Sequence, residues 1–182
     1  MKLTLNAIVF AMASVSIIPT VFAANATSDG QVHISGTVIQ NACVVDGDEG
    51  TTFDVELMDV NKVNFVNVGD TAANQSFNIR LKDCDVSTYT NVKVRFEGTT
   101  DDDAGTTVLK NTGGDATGFG LQILEAGSPM TFNDQSSWST NTKIADGTNS
   151  IPFTAQYIST KAQADLVAGT VDATATFYLQ YN

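Results

Sequence analysis

The chain has 182 residues and a mass of 19.2 kDa, the size of one domain or two small ones. Twenty acidic side chains against nine basic ones give a net charge of −11, a poor match for a nucleic-acid backbone or an anionic membrane surface. A single histidine, His33, and two cysteines leave few catalytic bases and few zinc or iron–sulfur ligands.

Met1 and Lys2 make a short positive start, residues 7 to 18 are apolar, and Pro19 breaks the run. Val21-Phe22-Ala23 then places small or modest side chains at the −3 and −1 positions of a cleavage site. Residues 1–23 therefore read as a secretory signal peptide. The apolar run is 12 residues, too short for the roughly 20 that cross a bilayer. Cleavage leaves 159 residues, 24–182, removes Lys2 and takes the charge to −12. A chain of that length can bury a real core.

The new N-terminus begins as an extended arm. Ser28, Gly30, Val32 and Ile34 fall on one face of it, and Cys43 follows. Export also decides how the cysteines are read. Outside the cytosol, Cys43 and Cys84 most simply form one disulfide, with two free thiols as the alternative. Their separation is 41 residues. Closing such a loop contributes on the order of 4 kcal/mol in the chain-entropy account.

Beyond Cys43 the dominant signal is alternation with period two. Phe77, Ile79 and Leu81 alternate with Asn78, Arg80 and Lys82; Val92, Val94 and Phe96 alternate with Lys93, Arg95 and Glu97. Phe119, Leu121 and Ile123 make a third strand, and Ile151, Phe153, Ala155 and Tyr157 a fourth. Val171, Ala173, Ala175, Phe177, Leu179 and Tyr181 make the last. Each run has one apolar and one polar face, as antiparallel sheets do. Turn-rich stretches separate them, among them residues 46–50, 98–105 and 111–114. Thr160 to Ala168 reads as a loop with one or two helical turns. The pattern predicts an all-β chain folded as one β-sandwich.

Catalytic and metal-binding motifs find little support. His33 sits in an alternating run with no nucleophile elbow near it, so it reads as a solvent-facing strand residue. Gly113-Gly114 and Gly118-Phe119-Gly120 match neither a dinucleotide fingerprint nor a phosphate loop. Asp46-Gly47-Asp48-Glu49-Gly50 fails the calcium-loop pattern, because its twelfth position is Leu57 rather than a bidentate Glu. Asp101-Asp102-Asp103 reads as a solvated loop. No acidic pair is singled out as glycosidase machinery. Trp138 and the four tyrosines lie scattered along the sequence. No catalytic residue, metal ligand or cofactor is assigned.

The two ends carry the most informative pattern. Gly30-Gln31-Val32-His33-Ile34-Ser35-Gly36-Thr37-Val38, leading to Cys43, resembles the donor strand and first strand of pilins of the chaperone–usher pathway, in particular the type 1 fimbrial family. Phe77 to Cys84 resembles that family's second strand with its other disulfide cysteine. Gly118 to Leu124 resembles a central strand. Gly169 through Asn182, with Gly169 fourteenth from the end and in phase with Tyr181, resembles the chaperone-recognition end. Met58 departs from the pattern, since a glycine is expected in that segment.

The resemblance implies an incomplete immunoglobulin-like sandwich that a donor strand from a neighbouring subunit completes. It divides the chain into the signal peptide 1–23, an N-terminal extension 24–35 and a pilin domain 36–182. Ser28, Gly30, Val32 and Ile34 become the donor strand. Gly169, Val171, Ala173, Ala175, Phe177, Leu179 and Tyr181 become the groove and chaperone-contact strand. The implied partners are other pilin subunits, a periplasmic chaperone and an outer-membrane usher, with no nucleic acid. The implied place is a surface fimbrium reached through the periplasm, and the implied function is structural, not enzymatic. A secreted monomeric carbohydrate-binding sandwich, or a minor adaptor or adhesin pilin, is the other reading.

Overall fold

The computed structural model describes residues 32–36, 42–47 and 51–182. Ser28 and Gly30, the signal peptide and residues 48–50 lie outside the described residues. Strand follows strand along the chain: β1 (Val44–Val45), β2 (Thr71–Cys84), β3 (Asn91–Gly98), β4 (Thr100–Asp101), β5 (Gly105–Lys110), β6 (Phe119–Glu125), β7 (Ser128–Pro129), β8 (Thr142–Lys143), β9 (Gly147–Ser159) and β10 (Ala175–Tyr181). Two 3-10 turns, Lys62–Asn64 and Gln163–Asp165, are the helical elements among the described residues. The second falls inside the stretch 160–168 that reads as a loop with one or two helical turns.

The strands pair antiparallel in two sheets. A seven-stranded sheet runs β1-β2-β9-β6-β5-β4, with β7 also on β6, and a three-stranded sheet runs β10-β3-β8. The alternation read from sequence sets their inner faces. Ile79 and Leu81 from β2, Val92, Val94 and Phe96 from β3, and Ile151 and Phe153 from β9 form one buried cluster. Phe96 meets Phe153 edge-on, with ring centroids 5.2 Å apart. Burying a side chain of this size contributes about 1.5–3 kcal/mol. A smaller cluster of Phe65, Ala116, Phe119 and Leu166 fills one end.

One departure from strict alternation matters for the covalent staple. Phe77, Ile79 and Leu81 face inward on odd numbers, so a regular strand would turn Cys84 outward. The ladder between β2 and β9 slips between Leu81 and Cys84, and Asp83 adopts φ +50°. This bulge adds one residue to β2 and returns Cys84 to the core side. Cys84 there bonds Cys43, and both are buried. Asp is among the residues that tolerate the left-handed region.

β10 is held on one side only. Its seven residues pair with β3 in a ladder from Ala175 opposite Gly98 to Tyr181 opposite Val92. Asn182 extends the ladder, since its carbonyl accepts from the Thr90 and Asn91 amides and its amide donates to the Asn91 carbonyl. Among the described residues no strand pairs with the other edge of β10. The sandwich is immunoglobulin-like, and among the described residues the long edge of β10 is left open.

Two substitution experiments check this packing. Cys43→Ser should lower the unfolding free energy by about 2–5 kcal/mol in urea titrations. Along β10, Phe177→Ser should cost about 3 kcal/mol, whereas Thr176→Ser, on the exposed face, should stay within about 0.5 kcal/mol; equal losses would reverse the assigned faces.

Candidate functional site

The open edge of β10 forms one wall of a groove. Val171, Ala173, Ala175, Phe177, Leu179 and Tyr181 are each half-buried, and the residues between them are exposed. Full burial on one side and water on the other would read differently; half-burial of every second residue marks an apolar face whose cover is incomplete. Burial pushes the Tyr181 phenol up from its ordinary value.

The opposite wall is an extended segment that belongs to no strand, residues 52–60. Phe53, Val55, Leu57 and Val60 are half-buried on it. Phe53 packs on Phe177 with ring centroids 5.8 Å apart, and Val60 and Val171 join the same small cluster. The two walls therefore run antiparallel to each other. Residues 52–60 make no backbone hydrogen bond to any described backbone group. Two facing walls with alternating apolar side chains and unpaired backbone form a slot for an extended strand. Met58, where a glycine was expected, stands on this wall with its side chain exposed.

At the far end the groove opens into a cavity of about 160 Å³, lined by Val60, Phe65, Phe119, Tyr157, Gly169 and Val171 among others. That is below the roughly 300–1,000 Å³ of ordinary small-molecule sites. It has room for a branched aliphatic side chain. Burial pushes the Tyr157 hydroxyl up, and the Asp59 charge adds to the shift.

The segment leading into β10 is fixed by backbone and side-chain bonds outside any named strand: the Thr112 and Gly113 amides donate to the Asp172 carbonyl, and the Ala116 amide donates to the Thr170 carbonyl. Asn111 donates from its amide nitrogen to the carbonyls of Ala116 and Thr170, and its oxygen accepts from the amides of Gly114 and Asp172. Asp115 accepts from the amide and hydroxyl of Thr170 at 2.6 and 2.8 Å. These donors hold the Asp115 carboxyl below the usual carboxylate range. Gly169 lies so close that an added Cβ would sit 2.4 Å from the Asp115 carboxylate and 2.8 Å from the Ala116 nitrogen. Here the glycine is required by close approach, not by a turn.

Of the arm, Val32 and Ile34 are described, and they are 86% and 89% exposed. His33 between them is exposed as well. The acidic stretches have local structural roles. Asp101 accepts from the amides of Asp103 and Ala104, an Asx turn. Asp46 pairs with Lys82 at 2.8 Å. Trp138 and Tyr178, distant in sequence, come together around Arg95, whose guanidinium lies 5.3 and 3.9 Å from their ring centroids.

Comparison with known proteins gives the family. The family model described as "Fimbrial protein" matches residues 32–182. The chain belongs to the fimbrial protein family. The type-1 fimbrial protein A chain of Escherichia coli K12 is 37% identical over 98% of this chain and 97% of its own length. Long polar fimbria protein A of Salmonella typhimurium is 31% identical over 100% and 99%. Among solved structures, an antigen and type I fimbria protein of Burkholderia pseudomallei is 35% identical, with a TM-score of 0.55, over 79% of this chain and 91% of its own. The P pilus rod subunit PapA shares the fold, with a TM-score of 0.64 at 22% identity, over 78% of this chain and 100% of its own. This fimbrial protein is a structural subunit of a cell-surface fimbrium.

The sequence pattern located β10 from Ala175 to Tyr181 and its inward face, whereas Gly169, Val171 and Ala173, expected on the same strand, lie ahead of it outside any strand. It did not locate the second wall, although Phe53, Val55 and Leu57 already alternate. The Asn111–Asp115 clamp had no periodic signal, since it joins residues 55 or more positions apart.

Gly169→Ala should push the segment 168–172 off the 111–116 loop. The expected loss is about 1–3 kcal/mol, together with faster amide exchange at Thr170 and Asp172. Unchanged exchange there would mean that the clamp is looser than these distances indicate.

Proposed function

We propose that this fimbrial subunit polymerises by strand donation: residues 24–35 of one copy fill the groove in residues 36–182 of the next. What carries the reading is the open edge of β10 above a row of half-buried apolar side chains. An exposed strand edge with an apolar face is an association hazard unless a strand covers it. Val32 and Ile34 alternate in the phase a covering strand needs.

Direction follows from the ladder. Antiparallel pairing is slightly the more stable arrangement. An arm antiparallel to β10 sends its later residues, Val32 and Ile34, toward the cavity beside Gly169. Ser28 and Gly30 then lie further along, toward Phe177 and Tyr181. Gly30 suits a position where two backbones approach closely. Burying Val32 and Ile34 contributes roughly 1.5–3 kcal/mol each.

Before polymerisation the same edge needs a temporary cover. A periplasmic chaperone supplies a strand to β10 after removal of residues 1–23, and an outer-membrane usher is the place of exchange. The subunit acts by assembly and not as an enzyme, and cell adhesion follows from the fibre it builds.

Self-complementation tests the proposal. A copy of residues 24–36, placed on a flexible linker after Asn182 with the original arm removed, should give a monomer that does not polymerise. Its melting temperature should exceed that of the armless chain by about 10 °C or more. Gly30→Arg in the grafted copy should abolish the gain, because a long charged side chain would enter an apolar slot. An armless chain already as stable as the self-complemented one would mean a complete, monomeric sandwich.

A further inference from the structure

We propose that an aliphatic patch at the cavity end of the groove is the seat for the body of a second copy of this chain, the copy whose arm fills the groove. The inference rests on the strand-donation reading and adds a contact that the arm itself does not make. Val63, Val66, Val68 and Val167 are 54–63% exposed, and Met58 is 64% exposed. Single exposed apolar side chains are ordinary, whereas a group of them at one end of a domain marks an interaction surface.

The patch belongs to a fixed surface. The Asp70 carboxylate accepts from the amides of Val66 and Asn67, each at 2.7 Å. Ser159 donates its hydroxyl to the Asn67 carbonyl, and its own carbonyl accepts from the Gly69 amide. Gln163 donates to the Val63 carbonyl, and the Lys62 ammonium to the Leu166 carbonyl. Phe65, fully buried, anchors the loop from beneath against Phe119. Four valines are thus held in water by a pinned backbone, so little ordering entropy remains to be lost when a partner covers them.

Chain length decides which partner. In the antiparallel direction the arm leaves the groove at the Gly169 end, where this patch lies. Ala42, held in the donor's body by the Asp85 amide, lies six residues after Gly36. Six residues span at most about 20 Å. The donor body is therefore tethered within that distance of the patch, at a high effective concentration. Within one copy, Ala42 sits at the opposite end: its carbonyl accepts from the Asp85 amide, near Thr90 and Asn91, which hold Asn182. Opposite ends in contact make a heterologous, non-closing interface, which grows a filament. The donor also brings Val44, half-exposed, two residues after Ala42.

The test uses the full mature chain with V63S/V66S/V68S. In the self-complemented form these substitutions should leave the melting temperature within about 2 °C of the parent, because the side chains are exposed. Polymers of the variant should still form, but should release monomers in denaturant at least about tenfold faster than the parent polymer. A photo-reactive residue at position 66 should cross-link to residues 42–46 of a second copy in polymers. Equal release rates, or cross-links only to the chaperone or usher, would overturn the proposal while leaving strand donation intact. Failure of strand donation itself has a different signature: the unsubstituted chain would neither polymerise nor gain stability from a grafted arm.

Discussion

A β-sandwich is stable when each apolar face has a cover and each long edge strand is paired, covered or blunted. In this subunit β10 meets half of that demand. Its ladder to β3 is complete from Ala175 to Tyr181, and its inward side chains join the main core. Its other edge, among the described residues, is bare. The groove is built around that open edge. The wall at residues 52–60 stands across from β10 with no backbone hydrogen bond to it, and the clamp from Asn111 and Asp115 fixes the approach to β10. The result is a slot shaped by rigid neighbours instead of a collapsed edge.

The clamp shows side chains reinforcing a few backbone bonds where no named strand runs. Between Gly169 and Asp172 the chain belongs to no strand. Asn111 satisfies two amides and two carbonyls from one carboxamide, using its full donor and acceptor capacity. Together with the backbone bonds from Thr112, Gly113 and Ala116, this side-chain bonding fixes the segment beside the cavity at Gly169.

How much of this was legible from sequence varied with the range of the interaction. Alternation exposes its result directly, so Phe77 to Leu81, Val92 to Phe96, Ile151 to Phe153 and the β10 face were readable before any coordinates. The cysteine pairing was readable from the expected export and count. The bulge at Asp83 was not, because nothing in Lys82-Asp83-Cys84 announces that the phase shifts by one residue. Wall residues 53–60 escaped because a wall without a ladder leaves only a short alternating trace. The Trp138–Arg95–Tyr178 stack escaped because its members are 40 or more positions apart or on separate strands. Local periodicity survives in a sequence; long-range side-chain meetings do not.

The position of the disulfide has a mechanical consequence. In a fibre joined by the strand donation proposed above, load under tension enters a subunit through its arm and passes Ala42. The next residue is Cys43, bonded to Cys84 at the end of β2. Force therefore crosses a covalent bond into a 14-residue strand paired along its length with β9, and bypasses β1, which has only two residues. Without that bond, pulling would peel β1 first and unravel the 41-residue loop behind it, about 140 Å of slack per subunit. With it, the load path shortens to the sheet itself, and a stretched fibre resists by shearing long strands in parallel rather than by paying out chain.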